Sequence, residues 1–163
     1  MVQTSIEIPA PVVAKMQEQA LANYPCECCG LLFAAPGSAK VTRCAPLENI
    51  ADRFHALDPA EYPRTSRDAF MVNEAKMAKI VAEAEAAGET WFGFYHSHID
   101  CAAYFSDEDK KYAAPGNTPV YPQLYQLVIE TRADRIVEAR AFRWDGKDFA
   151  HQQTFPEFAS RKL

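Results

Sequence analysis

No stretch of 18 apolar residues occurs in the 163-residue chain, which excludes a membrane-spanning helix, since one needs about 20. The start, Met1 to Ile8, lacks a basic region followed by an apolar run. Nothing there reads as a secretory signal, and the cytoplasm is the expected location. Basic residues are outnumbered, and a net charge of -5 with a pI near 5.4 argues against nucleic acid as the main partner. Lys110-Lys111 is too short to form a basic patch. The cysteines, at positions 26, 28, 29, 44 and 101, are odd in number and do not resemble a disulfide framework, so reduced thiols are expected. Cys26, Cys28 and Cys29 have no second cysteine pair at the spacing of a zinc ribbon or finger. The chain also lacks internal repeats, low-complexity tracts and any visible boundary, and its 48% hydrophobic content fits one domain over 1–163 with a substantial core.

What is present centres on Gly93-Phe94-Tyr95-His96-Ser97-His98, followed by Ser106-Asp107-Glu108-Asp109. Thr90 to Tyr95 is apolar on both faces and aromatic, the pattern of a strand inside a sheet. Side chains alternate along a strand, so His96 and His98 point the same way and can ligate one cation. Asp109 completes a set of three ligands if the intervening turn folds it back. Three protein ligands with the fourth position left to a water whose pKa falls to about 7 is the arrangement of catalytic zinc, and hydrolysis is its natural use. Ser106-x-x-Asp109 is equally a helix-capping signature ahead of the run Asp107 to Ala114, and both readings can hold.

Ser5 to Ile8 reads as a short first strand. Pro9 and Pro11 then fit the mouth of a helix whose stripe is Val13, Met16, Ala20, Leu21 and Tyr24, stopped by Pro25. Glu27 to Ala34 contains a continuous apolar run, a buried strand with Glu27 at its start, and Lys40 to Ala45 pairs with it antiparallel across the Pro36-Gly37-Ser38 turn. Pro46 to Ser66 is poorly patterned and reads as a long surface loop with one short strand at Arg53 to Leu57. Asp68 to Val72 reads as another strand. Asn73 caps a helix with the stripe Met77, Ile80, Val81 and Ala84, closed by Gly88. Leu124 to Thr131 and Ile136 to Trp144 form two strands about a turn at Ala133-Asp134, and the tail from Asp145 carries no pattern.

Glu27 ahead of Cys-Gly-Leu-Leu, then His96-Ser97-His98, seven residues, Ser106, two residues and Asp109, resembles the motif of the JAB/MPN (JAMM) zinc metalloproteases. The resemblance spans residues 27 to 109 and the flanking elements also look like that family's core. It implies an α/β (α+β) fold similar to that of cytidine deaminases, a mixed, curved β-sheet flanked by helices. The deaminase His-x-Glu and paired cysteines are missing, which sets deamination aside. By the resemblance His96, His98 and Asp109 hold zinc, and Glu27 is the general base that takes a proton from the water and passes it to the leaving amine. Ser106 donates to the oxyanion. Only the resemblance singles out Glu27 among the glutamates. Ser97 faces away from the histidines and reads as packing or support. The family commonly has a proline after His-x-His where Ile99 stands here, and Cys101 lies in the same turn, either as a small buried residue or as a thiol that reaches the zinc.

All expected ligands and the base are present, which favours an enzyme over a catalytically silent scaffold of the same family. A purely structural zinc site, with four closed ligands, fits less well. The chain is too short for an added ubiquitin-recognition domain, so recognition falls to the core surface, where an extended tail adds beside a sheet edge. The compact bacterial members that the sequence resembles act on small ubiquitin-like sulfur-carrier proteins. The expected reaction is hydrolysis after the carrier's C-terminal Gly-Gly, with ubiquitin-type isopeptides as the alternative substrate.

Overall fold

The computed structural model describes residues 4–162. The first helix, α1 (Ala10–Asn23), opens with Pro11 where no intrahelical N–H is needed, and buries Val12, Val13, Met16 and Ala20 on one side. The strand β1 (Cys29–Ala34) is buried at all six positions, as its unbroken apolar run demands. It lies between β2 (Val41–Leu47) and β3 (Thr90–Ile99), antiparallel to both. Pro46 is accommodated because β2 is the outermost strand of the sheet.

Between β2 and β3 run α2 (Ala51–Leu57) and α3 (Glu74–Ala86). Asn73 caps α3 by accepting from Lys76 N at 3.0 Å, and Gly88 leaves it at φ +84, a conformation glycine adopts without strain. After β3 come α4 (Asp107–Ala113), β4 (Tyr125–Thr131), β5 (Arg135–Trp144), β6 (Phe149–Phe155) and β7 (Ser160–Arg161). The sheet order is β2-β1-β3-β4-β5-β6, with β7 pairing the start of β5. All pairings are antiparallel except β3 with β4. The fold is therefore a mixed sheet with helices on both faces.

Alternation along β1 and β3 sorts the core. Leu32 and Tyr95 join α1, Leu127, Ile129 and Phe155 on one face, while Leu31, Phe33 and Phe94 join Val72, Met77 and Ala84 on the face that α3 covers. Gly30 opposes Tyr95 across the strand pair, and a Cβ there would run into the tyrosine ring. A third cluster, Phe105, Ala114, Val128, Phe142 and Phe149, seats the α4 region on the sheet.

Some sequence-based expectations need correction. Arg53 to Leu57 is not a strand but part of α2, and Asp68 to Val72 forms no regular element. In that segment Met71 N–H bonds the Asn49 side chain rather than a strand. Ser5 to Ile8 contributes one isolated bridge, Glu7 to Lys40, because the Gln153 amide satisfies both backbone groups of Ile6. Glu27 lies two residues before β1. The tail beyond Asp145 supplies β6 and β7, and only the two ends of β6 are buried, so its composition shows no alternation. No helix among the described residues is long and apolar enough to cross a membrane.

Candidate functional site

Because β3 and β4 are parallel, the chain must cross over between them, and this crossover contains α4. It starts at the C-terminal end of β3, where His96 and His98 share a face with Phe94. Ser106 ends the descending segment and caps α4 by accepting from Asp109 N–H at 3.1 Å. The Asp109 carboxylate returns the bond, accepting Ser106 N–H at 3.0 Å through Oδ2. This reciprocal cap fixes Asp109 in the first turn, facing the histidines. The capping signature and the convergence of the three side chains are thus one local structure.

The ligating atoms of His96, His98 and Asp109 lie within 4.8 Å of one another. His98 Nε2 is 3.0 Å from Asp109 Oδ2, and His96 Nε2 is 3.2 Å from Oδ1. Both rings are buried, His96 at 1% exposure and His98 at 4%. His98 donates through Nδ1 to the Ala102 carbonyl at 2.9 Å, the kind of bond that fixes a ligating ring's orientation and leaves Nε2 free for a cation. Phe70 stacks on His96 at 4.6 Å between centroids. His96 Nδ1 has no hydrogen-bond partner and Nε2 meets only the Asp109 carboxylate, an arrangement that native interiors avoid unless something else fills the role. Burial works against a charged His96, but the Asp109 carboxylate outweighs it and raises the ring's pKa. Burial likewise opposes ionised Asp109, yet the two imidazoles hold its carboxyl well below the ordinary range. Two neutral-capable nitrogens and one ionised oxygen form a donor set that suits zinc.

Glu27 shares a cleft of about 450 Å³ with His98, Cys101, Tyr104, Ser106 and Asp109. It is only 5% exposed. Burial, reinforced by Asp109 and Asp68, pushes its carboxyl from the ordinary 4.5 up to about 7, against the pull of His96. A carboxyl at that value both accepts and releases protons near neutrality. An apolar groove of about 700 Å³, walled by Val72, Met77, Trp91 and Tyr121, meets this cleft at Phe105 and Asp109.

Ser97 lies on the opposite face from the histidines, where its hydroxyl accepts Cys28 N–H at 2.8 Å. Cys101 is half-buried and lines the cleft, but is not one of the clustered ligand groups. The site residues absent from the sequence analysis come from the segment between β2 and α3: Asn49, Ser66 and Phe70. Glu27 N–H donates to the Ser66 carbonyl at 2.7 Å, and the Glu27 carbonyl accepts from Asn49 Nδ2 at 3.0 Å. Asp52 holds Ser66 through both its N–H and its hydroxyl. No periodicity marks such residues, since they act through single side chains in irregular backbone.

Residues 9–145 match the family described as prokaryotic homologs of the JAB domain. The chain belongs to that family. Among its relatives is the desampylase of Haloferax volcanii, 30% identical over 147 residues, which covers 90% of this chain and 84% of the relative. A solution structure of a protein from Desulfitobacterium hafniense superposes with a TM-score of 0.67 at 22% identity, covering 91% of this chain and 90% of that one. A crystal structure of a JAB1/MPN domain protein from Archaeoglobus fulgidus gives 0.51 at 14% identity, with 93% and 96% covered. At those identities the two structures speak for the fold, and they agree with the mixed sheet and flanking helices found here.

Proposed function

We propose that this JAB-family chain is a zinc-dependent hydrolase that cleaves a peptide or isopeptide bond after the C-terminal Gly-Gly of a small ubiquitin-like sulfur-carrier protein. The observation that carries the reading is the convergence of His96, His98 and Asp109 within 4.8 Å, with His96 Nδ1 unpartnered, and with His98 and Asp109 lining the same cleft as Glu27. The desampylase relative supports a ubiquitin-like protein as substrate. The whole of 1–163 is read as one catalytic domain acting in the cytoplasm, where five free cysteines are at home.

His96, His98 and Asp109 would hold zinc, which supplies Lewis-acid polarisation of the scissile carbonyl and a water acidic enough to attack near neutral pH. Glu27 takes the proton from the attacking water and delivers it to the leaving nitrogen, a two-way role that suits a carboxyl lifted to about 7. Ser106 spends its oxygen lone pair on the helix cap, so its hydroxyl proton remains to donate to the oxyanion of the tetrahedral intermediate. The Ala102 carbonyl keeps His98 in the tautomer that presents Nε2.

The test is mass spectrometry of a carrier bearing extra residues after Gly-Gly, incubated with zinc-loaded protein. Loss of those residues with an exposed glycine carboxylate is the expected result. Cleavage of lysine-linked ubiquitin chains with no action on any such carrier would reassign the substrate to the isopeptide class. Zinc binding without hydrolysis of either would make the chain a scaffold.

A further inference from the structure

We infer that Asn49 is the positioning residue for the general base: its side-chain amide fixes Glu27 against the face of the sheet that carries the histidines. The inference rests on the hydrolase reading above and adds to it a residue outside the resemblance motif.

Glu27 needs such a restraint because the bonds of β3 reach only as far as Cys28, through Ser97, and leave the Glu27 N–H and C=O to other partners. The first residue of β1 in ladder register is Cys29, and Glu27 lies two positions earlier. Its backbone is held instead by side chains and loops, through Ser66 O at 2.7 Å and Asn49 Nδ2 at 3.0 Å. The N–H of that same Glu27–Cys28 peptide is accepted by the Ser97 hydroxyl at 2.8 Å, so Asn49 and Ser97 hold its two ends. The second N–H of the Asn49 amide donates to Ala69 O at 2.9 Å, while its Oδ1 accepts from Ala51 N–H at 3.0 Å and Met71 N–H at 3.1 Å. All four bonding positions of the amide are used. Its orientation follows from chemistry, since two carbonyls require the NH₂ end and two N–H groups require the oxygen.

The consequence for the site is a direct tie. Ala69 and Met71 flank Phe70, the ring stacked on His96. One amide thus joins the backbone of the base to the segment that packs on a proposed ligand, and sets the distance between them. A base acts only within hydrogen-bond reach, and a displacement of about 1 Å costs a reaction on the order of 10²-fold. Aspartate is nearly the same shape as asparagine and keeps the acceptor contacts to Ala51 and Met71, but has no N–H to give to Glu27 and Ala69. Alanine loses all four contacts.

The experiment compares wild type, Asn49→Asp, Asn49→Ala, Glu27→Gln and the double variant Glu27→Gln with Asn49→Ala. Expected for both Asn49 variants are a kcat lower by about 10- to 100-fold, a KM within about threefold and zinc retained at one per chain. In the double variant the Asn49 change has no further effect on the residual rate, because its action runs through Glu27. Asn73→Ala, which removes the α3 cap, lowers Tm and leaves kcat within about twofold. In metal-free protein, amide exchange at Glu27 and Met71 quickens in Asn49→Ala, a readout independent of activity. Should alanine prevent folding, the aspartate variant carries the kinetic test. The inference is overturned by a kcat within threefold of wild type in both variants, by losses that multiply in the double variant, or by unchanged exchange at both amides. A wild-type chain that hydrolyses nothing overturns the hydrolase reading, and this inference with it.

Discussion

The two faces of β3 treat buried polar groups in opposite ways. On the α1 side, Tyr95 and Ser97 are fully buried and fully engaged: the phenol donates to Gln19, whose amide in turn donates to Cys29 O, and the Ser97 hydroxyl accepts Cys28 N–H. On the other side His96 is as deeply buried, yet its Nδ1 lacks a hydrogen-bond partner and its Nε2 meets only the Asp109 carboxylate. His98 uses only its Nδ1 on the backbone and turns Nε2 toward Asp109. The two remaining histidines each have a partner within the chain, His55 on Tyr62 O and His151 on Thr154. Leaving a buried polar atom unsatisfied costs about 1–3 kcal/mol. A strand that pairs Tyr95 and Ser97 within the chain on one face, and aims His96 and His98 at a single carboxylate on the other, is built to receive a partner on the second.

Substitutions on the two faces should therefore separate chemistry from stability. His96→Ala should have the largest effect, with zinc falling well below one per chain by elemental analysis and hydrolysis dropping to background. Glu27→Gln should keep the metal and lose about 10²–10⁴-fold in kcat. The same change should stabilise the metal-free chain at alkaline pH. The carboxyl's folded value, about 7, lies above its ordinary 4.5, so its contribution to stability is fully present below about pH 4.5 and is lost as pH rises through about 7. At about pH 8 the glutamine variant should gain up to ~3 kcal/mol over wild type in urea melts, a gain that vanishes near pH 4.5. Ser106→Ala should slow turnover by about 10- to 1000-fold and also cost about 1 kcal/mol through the lost cap. Tyr95→Phe, on the satisfied face, should cost about 1 kcal/mol in stability and leave kcat unchanged. Loss of kcat in that variant would erase the distinction between the faces.

Legibility in the sequence followed the same physics. The unbroken apolar run of β1, the stripe of α1 and the alternation that sets His96 beside His98 are pattern signals, and each appears where the pattern put it, save that Tyr24 lies just past the end of α1. The cap at Ser106 was readable because it is a local signal, whereas the return of Asp109 depended on a turn that the sequence did not settle. The segment from Glu48 to Val72 was not readable. There α2 buries only Ala51, so no stripe distinguishes it from a strand, and the chain beyond it is held by Asn49, Asp52 and Ser66 acting singly. The position of Glu27 was obscured for the same reason, since a loop carbonyl and the Asn49 side chain rather than a ladder hold it. Strand β6 was missed because its middle positions are half-exposed on the outer side of the sheet.

The most direct test is a zinc titration of the metal-stripped chain followed through the imidazole ¹⁵N resonances of its four histidines. The Nε2 or Nδ1 signals of His96 and His98 should shift to metal-bound positions together, with an end point at one zinc per chain, while His55 and His151 stay where they are. Shifts at His55 or His151 with none at His96, or an end point with no change at any of the four, would contradict the claim that the unsatisfied face of β3 is a metal site.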